Sequence, residues 1–85
     1  MKVSVVIVTY NGAQWIQKCL DSIIESTVDC SIINVDNNSS DNTLKLIREY
    51  FSEVHTVALD KNEGFGKANN IGISHALNQG ADYVF

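Results

Sequence analysis

The sequence predicts an α/β sandwich on a mostly parallel sheet, with elements in the order βαβαβαβ. Three observations carry this prediction. Short β-branched runs alternate with segments of helical period, and each strand-like run gives way to a cluster of Asn, Asp, Ser or Gly. No proline interrupts any of the 85 residues.

Val3–Thr9 (VSVVIVT) is almost continuously apolar, the pattern of a central parallel strand covered on both faces. Asn11-Gly12 breaks it and, with no second alternating run behind, reads as the turn into a helix. From Ala13 the period changes: Ile16, Leu20, Ile23 and Ile24 recur at three and four residues, opposite Lys18, Asp21 and Glu25. That helix is expected to end near residues 26–29. Ser31–Asp36 (SIINVD) is the second strand, and residues 37–41 (NNSSD) supply turn and capping chemistry, with Ser40 a candidate cap. A second helix over residues 43–51 carries Leu44, Ile47 and Phe51, with Tyr50 and Phe51 expected on its packing face. Residues 54–59 (VHTVAL) form the third strand and residues 60–66 a polar, glycine-bearing loop. A third helix runs from about Lys67 to Asn78, with Gly80 as its C-cap. Residues 81–85 (ADYVF) open a fourth strand, so the chain reads as a domain cut within that strand.

Composition narrows the function. An apolar fraction of 45% with 19% charge describes one small globular domain over residues 1–85. Such a chain buries only about 60–65% of its unfolded surface, enough for one modest core. No run of about 18 apolar residues is long enough to span a membrane, and the amino terminus lacks a signal-peptide cleavage pattern. Six basic against ten acidic residues, a net charge of −4, argue against nucleic acid as partner. Cys19 and Cys30 lack CxxC spacing and read as buried thiols of a reducing cytoplasm. His55 and His75 have no companions at ligand spacing and read as structural or surface residues. Trp15 reads as a packing residue beside the first helix's apolar face.

In open α/β sheets, ligands bind outside the carboxyl ends of the strands. The polar clusters collect there: residues 9–12 (TYNG), 36–41 (DNNSSD) and 60–64 (DKNEG). Each alone fits a turn or cap; three on one edge point to a binding site. Asp36 stands where a dinucleotide-binding domain keeps its ribose-binding acid, but no GxGxxG follows the first strand. The only GxG, Gly64-Phe65-Gly66, follows the third strand, and no P-loop motif occurs. A receiver-type regulatory domain is disfavoured, since the first strand ends in Thr9-Tyr10-Asn11 rather than in acids.

Residues 2–11 (KVSVVIVTYN), 35–43 (VDNNSSDNT) and 62–72 (NEGFGKANNIG) together resemble the amino-terminal, nucleotide-binding half of a family 2 glycosyltransferase, most closely the rhamnosyltransferase-like branch. The resemblance covers nearly the whole chain. It implies a partial GT-A, Rossmann-like three-layer fold and a nucleotide-diphosphate sugar as ligand. Thr9 and Tyr10 would lie against the base beside Asn11, and Asp36 would accept a hydrogen bond from a ring N–H. Asn38 or Asp41 would hold the loop. Asn62, Gly64 and Lys67 would line the third side, with Gly66 letting backbone approach. Asn69 and Asn70 would stand near ribose or diphosphate. Lys67 reads either as a phosphate contact or as an exposed helix lysine.

The same resemblance places an Asp-x-Asp motif for Mg or Mn, and the catalytic base, beyond residue 85. Asp82, followed by Tyr83-Val84-Phe85, does not form that motif. No catalytic or metal-binding residue is therefore expected within residues 1–85, and the segment alone is expected to be inactive. The parent enzyme would serve cell-wall or polysaccharide synthesis. A non-catalytic nucleotide-binding or assembly module on the same half-fold is the alternative. Self-association through the interrupted fourth strand is also expected.

Overall fold

Strands and helices alternate along the chain in the computed structural model, which describes residues 2–26 and 29–85. The strands are β1 (Val3–Thr9), β2 (Ser31–Asp36), β3 (His55–Ala58) and β4 (Tyr83–Val84). The helices are α1 (Ile16–Ile24), α2 (Thr43–Tyr50) and α3 (Phe65–Asn78). Every strand pairing is parallel, in the order β3-β2-β1-β4.

The order dictates the layers. The chain steps from β1 to β2 to β3 in one direction, then returns past both to reach the far side of β1. With right-handed crossovers, that reversal puts the third helix on the opposite face from the first two. Accordingly Ile16 and Leu20 of α1 and Ile47 of α2 pack with Phe51, Val54 and Ile32 on one face. Ala68 and Ala76 of α3 pack with Ile33 and Val35 on the other, joined by Val6, Val8 and Val57. The alternation of Ile32 and Ile33 between the two cores is the period of two expected of a strand covered on both sides.

The elements start and stop where backbone donors are spent. The first helix begins at Ile16 rather than Ala13, because residues 13–15 form a turn, with Trp15 and Ile16 N–H both bonded to Gly12 O, and Trp15 at φ −120° stands outside the helical range. It ends at Ile24, with Glu25 as its C-cap, short of the expected residues 26–29, of which 27 and 28 lie outside those described. β3 is shorter than residues 54–59, since the Val54 amide closes a turn onto Phe51. α3 starts two residues early because Gly64, at φ 85°, turns the chain and lets Ala68 N–H bond back to its carbonyl. The far end of α3 is a Schellman stop: Gly80 at φ 85°, Ala81 N–H to Ala76 O, and Gly80 N–H to Leu77 O. β4 pairs only Tyr83 and Val84 with Val3 and Ser4, and single bonds from Asp82 to Lys2 and from Val6 to Phe85 extend that contact.

Three expectations about side chains need correction. Tyr50 is exposed, because Ile47 and Phe51 take the inward positions of that turn. Trp15 precedes α1 and lies half exposed over Gly12, outside the apolar stripe that starts at Ile16. Cys19 and Cys30 are free and half-buried, at the margin of the core rather than within it.

α3 rests on the sheet through a row of small residues, Ala68, Gly72 and Ala76. A Cβ at Gly72 would stand 2.3 Å from Val6 Cγ1 and 3.1 Å from Val35 Cγ2. Those branched side chains have no flexible end to swing aside. Gly72→Ala is therefore expected to lower the melting temperature, with an overpacking cost of about 1–3 kcal/mol outweighing the gain of about 1 kcal/mol in helix propensity. Gly66, in the same helix, has nothing within 4 Å of its Cβ position. Thermal unfolding of Gly66→Ala should show no loss, which separates close packing from any general intolerance of alanine in α3.

Candidate nucleotide-binding edge

Thr9 and Asp36 are register partners at the carboxyl ends of β1 and β2, and both are fully buried. A carboxylate without exposed surface must find donors in the protein. Thr9 Oγ1 donates to Asp36 Oδ1 at 2.8 Å, Ser39 Oγ donates to the same oxygen at 2.7 Å, and Ser39 N–H donates to Oδ2 at 2.8 Å. Behind them Asn34 Nδ2 donates to Thr9 Oγ1 at 3.1 Å. The Asp36 carboxylate thus spends three of its roughly four acceptor positions inside the protein.

The network ties the first two loops together. Ser39 Oγ accepts the Asn11 N–H at 2.8 Å, and Asn11 Oδ1 accepts from Ser40 N–H at 2.8 Å and Asp41 N–H at 3.3 Å. These bonds hold Asn11 at φ 50°, and Asn38 follows at φ 65°. Both are left-handed conformations that Asn tolerates better than most residues. Deeper in, Gly12 N–H donates to Thr43 Oγ1 at 2.9 Å and Ala13 N–H to Asp41 Oδ2 at 3.1 Å. Asp41 also accepts from the Thr43 hydroxyl and amide. Asp41, not Ser40, therefore supplies the side-chain acceptor at the start of α2.

The third loop joins through Asn37, which is buried. Its amide donates to Thr9 O at 2.8 Å, and its Oδ1 accepts the Glu63 N–H at 2.7 Å. Asn62 Oδ1 accepts the Gly64 N–H at 2.8 Å, fixing the turn into α3. Lys67 is exposed, and its ammonium lies 2.7 Å from Glu63.

The structure thus sorts the residues singled out from the sequence into two groups. Thr9 and Asp36 form the buried floor. Tyr10, Asn11, Asn38, Asn62, Gly64, Gly66, Lys67 and Asn70 are exposed along the edge, with Asn69 half-buried. The sequence reading places Asn37 and Ser39 only within the 36–41 cluster, without individual roles, and gives Asn34 and Thr43 no part in the site. The local signal for Asn34 is a polar residue in the middle of an apolar strand. Among the described residues, no group of three or more His, Cys, Asp or Glu is arranged to hold a metal ion, and no helix is long and apolar enough to cross a membrane.

Two carboxyls on this edge sit below their ordinary range. The Thr43 hydroxyl lowers Asp41 most, against a partial desolvation, with the Thr43 and Ala13 amides adding to it. The Lys67 hydrogen bond does the same for Glu63, again against desolvation, with the charges of Lys67 and Lys61 adding to it. A carboxyl with a lowered folded-state pKa contributes stability above its unfolded value and loses it as pH falls through the folded one. The melting temperature is therefore expected to fall on acidification from about pH 5 to pH 2, and Asp41→Asn should flatten that fall. An acid limb of unchanged steepness in Asp41→Asn would mean that this carboxyl plays no part.

The profile of Glycosyl transferase family 2 matches residues 4–85. The dTDP-rhamnosyl transferase RfbF of Shigella flexneri is 38% identical over 81 residues, 93% of this chain and 26% of its own length. A chondroitin synthase of Escherichia coli is 31% identical over 84% of this chain and 11% of its own. Among solved structures, S. aureus TarS 1-349 in complex with UDP superposes with a TM-score of 0.86 at 26% identity, over 100% of this chain and 26% of that one. The mannosyltransferase PcManGT of Pyrobaculum calidifontis, in complex with GDP-Man and Mn2+, gives 0.76 at 28% identity, over 88% and 24%. The chain spans about a quarter of the length of RfbF and of these two structures. Its parallel sheet matches the GT-A, Rossmann-like amino-terminal part of TarS. A match over residues 4–85, on a sheet whose polar loops gather at its carboxyl edge, shows that this chain belongs to glycosyl transferase family 2.

Proposed function

We propose that residues 1–85 form the nucleotide-recognising part of a glycosyltransferase that moves a sugar from a nucleotide-diphosphate donor to an acceptor hydroxyl. The observation that carries this reading is the locking of three strand-end loops into one edge by the Asp36 and Asn37 hydrogen bonds. Such an edge is where open α/β sheets take their ligands, beside the switch in strand order between β1 and β4.

In this reading the exposed Tyr10 ring is the apolar wall for the base. Asn11 and Asn38 border it, and Thr9 and Asp36 position the floor from below. Asp36 has no exposed surface, so its part is to fix the loops rather than to meet the ligand first. Asn62, Gly64, Lys67 and Asn70 line the third side. Lys67 reaches a phosphate only by leaving Glu63. TarS binds UDP and UDP-GlcNAc, and the mannosyltransferase binds GDP-Man. The likeness to RfbF, named for a dTDP donor, and to the UDP complex of TarS favours a thymidine or uridine donor here.

The reaction itself joins the acceptor oxygen to the anomeric carbon, breaks the bond to the diphosphate, and passes the acceptor proton to a base. A divalent ion of the kind bound in the Mn2+ complex of the mannosyltransferase would supply positive charge for the departing diphosphate. The described residues do not fit an ion site of three or more acidic, His or Cys ligands. We assign both the ion and the base to parts of the longer enzyme outside residues 1–85, so this segment alone turns over no donor.

Calorimetric titration with UDP and dTDP tests the reading, and no binding of either at about 1 mM would overturn it. Tyr10→Ala is expected to weaken binding by about 1–3 kcal/mol, the scale of base-on-aromatic stacking. Because Tyr10 is 53% exposed, its melting temperature should not move. Asp36→Ala should lower affinity and melting temperature together, because it leaves buried donors unpaired. Affinity retained in Asp36→Ala would remove that residue from the site. Nucleotide binding without transfer in the longer protein would instead identify a non-catalytic module.

A further inference from the structure

The fold brings together the chain's two histidines, which the sequence separates by twenty positions. His55 opens β3, and His75 lies in the last turn of α3. Their ring centroids are 5.6 Å apart with the planes tilted by 43°. This corrects the expectation that neither has a companion at ligand spacing.

We propose that His55 and His75 form a two-histidine chelate for a borderline divalent transition ion, Zn2+ or Ni2+, clamping the start of β3 to the end of α3. With metal–nitrogen bonds of about 2.0–2.1 Å and a near-tetrahedral angle, two imidazole centroids on one ion stand about 5 Å apart. The observed 5.6 Å therefore needs only a small approach of two partly accessible rings. Neutral imidazole is the ligand these ions favour. No third His, Cys, Asp or Glu joins them among the described residues, so water completes the coordination.

His75 lies in the last turn of α3, near the negative pole of that helix, where Gln79 O already accepts from the Lys2 ammonium. His55, though not His75, lines a cavity of about 430 Å³ together with Asp29, Cys30 and Glu53. The place is separate from the nucleotide edge. His55 begins its strand, whereas the ligand loops follow the strand ends, about 10 Å away across the four residues of β3. The proposal therefore goes beyond the transferase reading and stands or falls without it.

Titration of the untagged chain with ZnCl2 or NiCl2 alone, followed by calorimetry and melting temperature, is the test. One ion per chain is expected, with a rise in melting temperature that grows with ion concentration. His55→Ala and His75→Gln should each lose about tenfold or more in affinity, with unchanged circular dichroism. Absence of binding at about 1 mM ion would overturn the chelate and leave the pair as a ring contact of ordinary aromatic spacing. Binding undiminished in either variant would overturn it equally, by placing the ion on other groups such as Cys19 or Cys30.

Discussion

A carboxylate with no exposed surface organises the loops at the carboxyl edge of this sheet. Asp36 sits opposite Thr9 in the parallel register of β1 and β2, and its charge is met by donors from Thr9 and Ser39. Those donors cannot be supplied without bending the chain after β2 sharply back over the strand end. Asn38 takes the left-handed conformation that the bend requires, and Asn11 takes the matching one on the neighbouring loop. The loops are therefore shaped by the need to solvate one buried charge with protein groups, since leaving it unmet would cost several kcal/mol.

The second constraint is steric and acts from the other face. The row of Ala68, Gly72 and Ala76 lets α3 lie directly on Val6 and Val35. That approach sets where α3 begins, and so where the third loop must arrive. Asn37 joins the two constraints: its main chain belongs to the Asp36 bend, and its side chain holds Glu63 in the loop that leads into α3. A disturbance of either packing or charge solvation would thus spread to the same three loops.

Most of the architecture was legible in the sequence because it rests on periodicity. The switch from the run at Val3–Thr9 to the spacing of Ile16, Leu20 and Ile23 is a local signal, as is Gly80 after α3. The element boundaries were less legible because they depend on partners far along the chain. Ala13 looks helical, yet it falls in a turn before α1, and its amide is held by Asp41, twenty-eight residues later. The same holds for the site. Clusters of Asn, Asp and Ser marked the edge, but no spacing rule shows that Asp36 turns inward while Tyr10 turns outward. Nor does spacing place His75 beside His55, since that contact depends on α3 crossing back over the sheet.

Floor and rim divide the work of such an edge. In the proposed site the floor, Thr9, Asn34, Asp36 and Asn37, is buried and its members are already hydrogen-bonded to one another or to the loops, apart from Asn34 Oδ1, which has no partner. A ligand that settles on it need not pay for ordering these groups, which favours affinity without selecting among ligands. The rim, Tyr10, Asn11, Asn38, Asn62 and Lys67, is exposed, so its side chains or their contacts must change when something binds. Discrimination requires groups whose interactions differ between one ligand and another. On this edge only the rim offers surface for that. Substitutions in the floor should act on folding and on all ligands alike, while substitutions in the rim act on the choice among them.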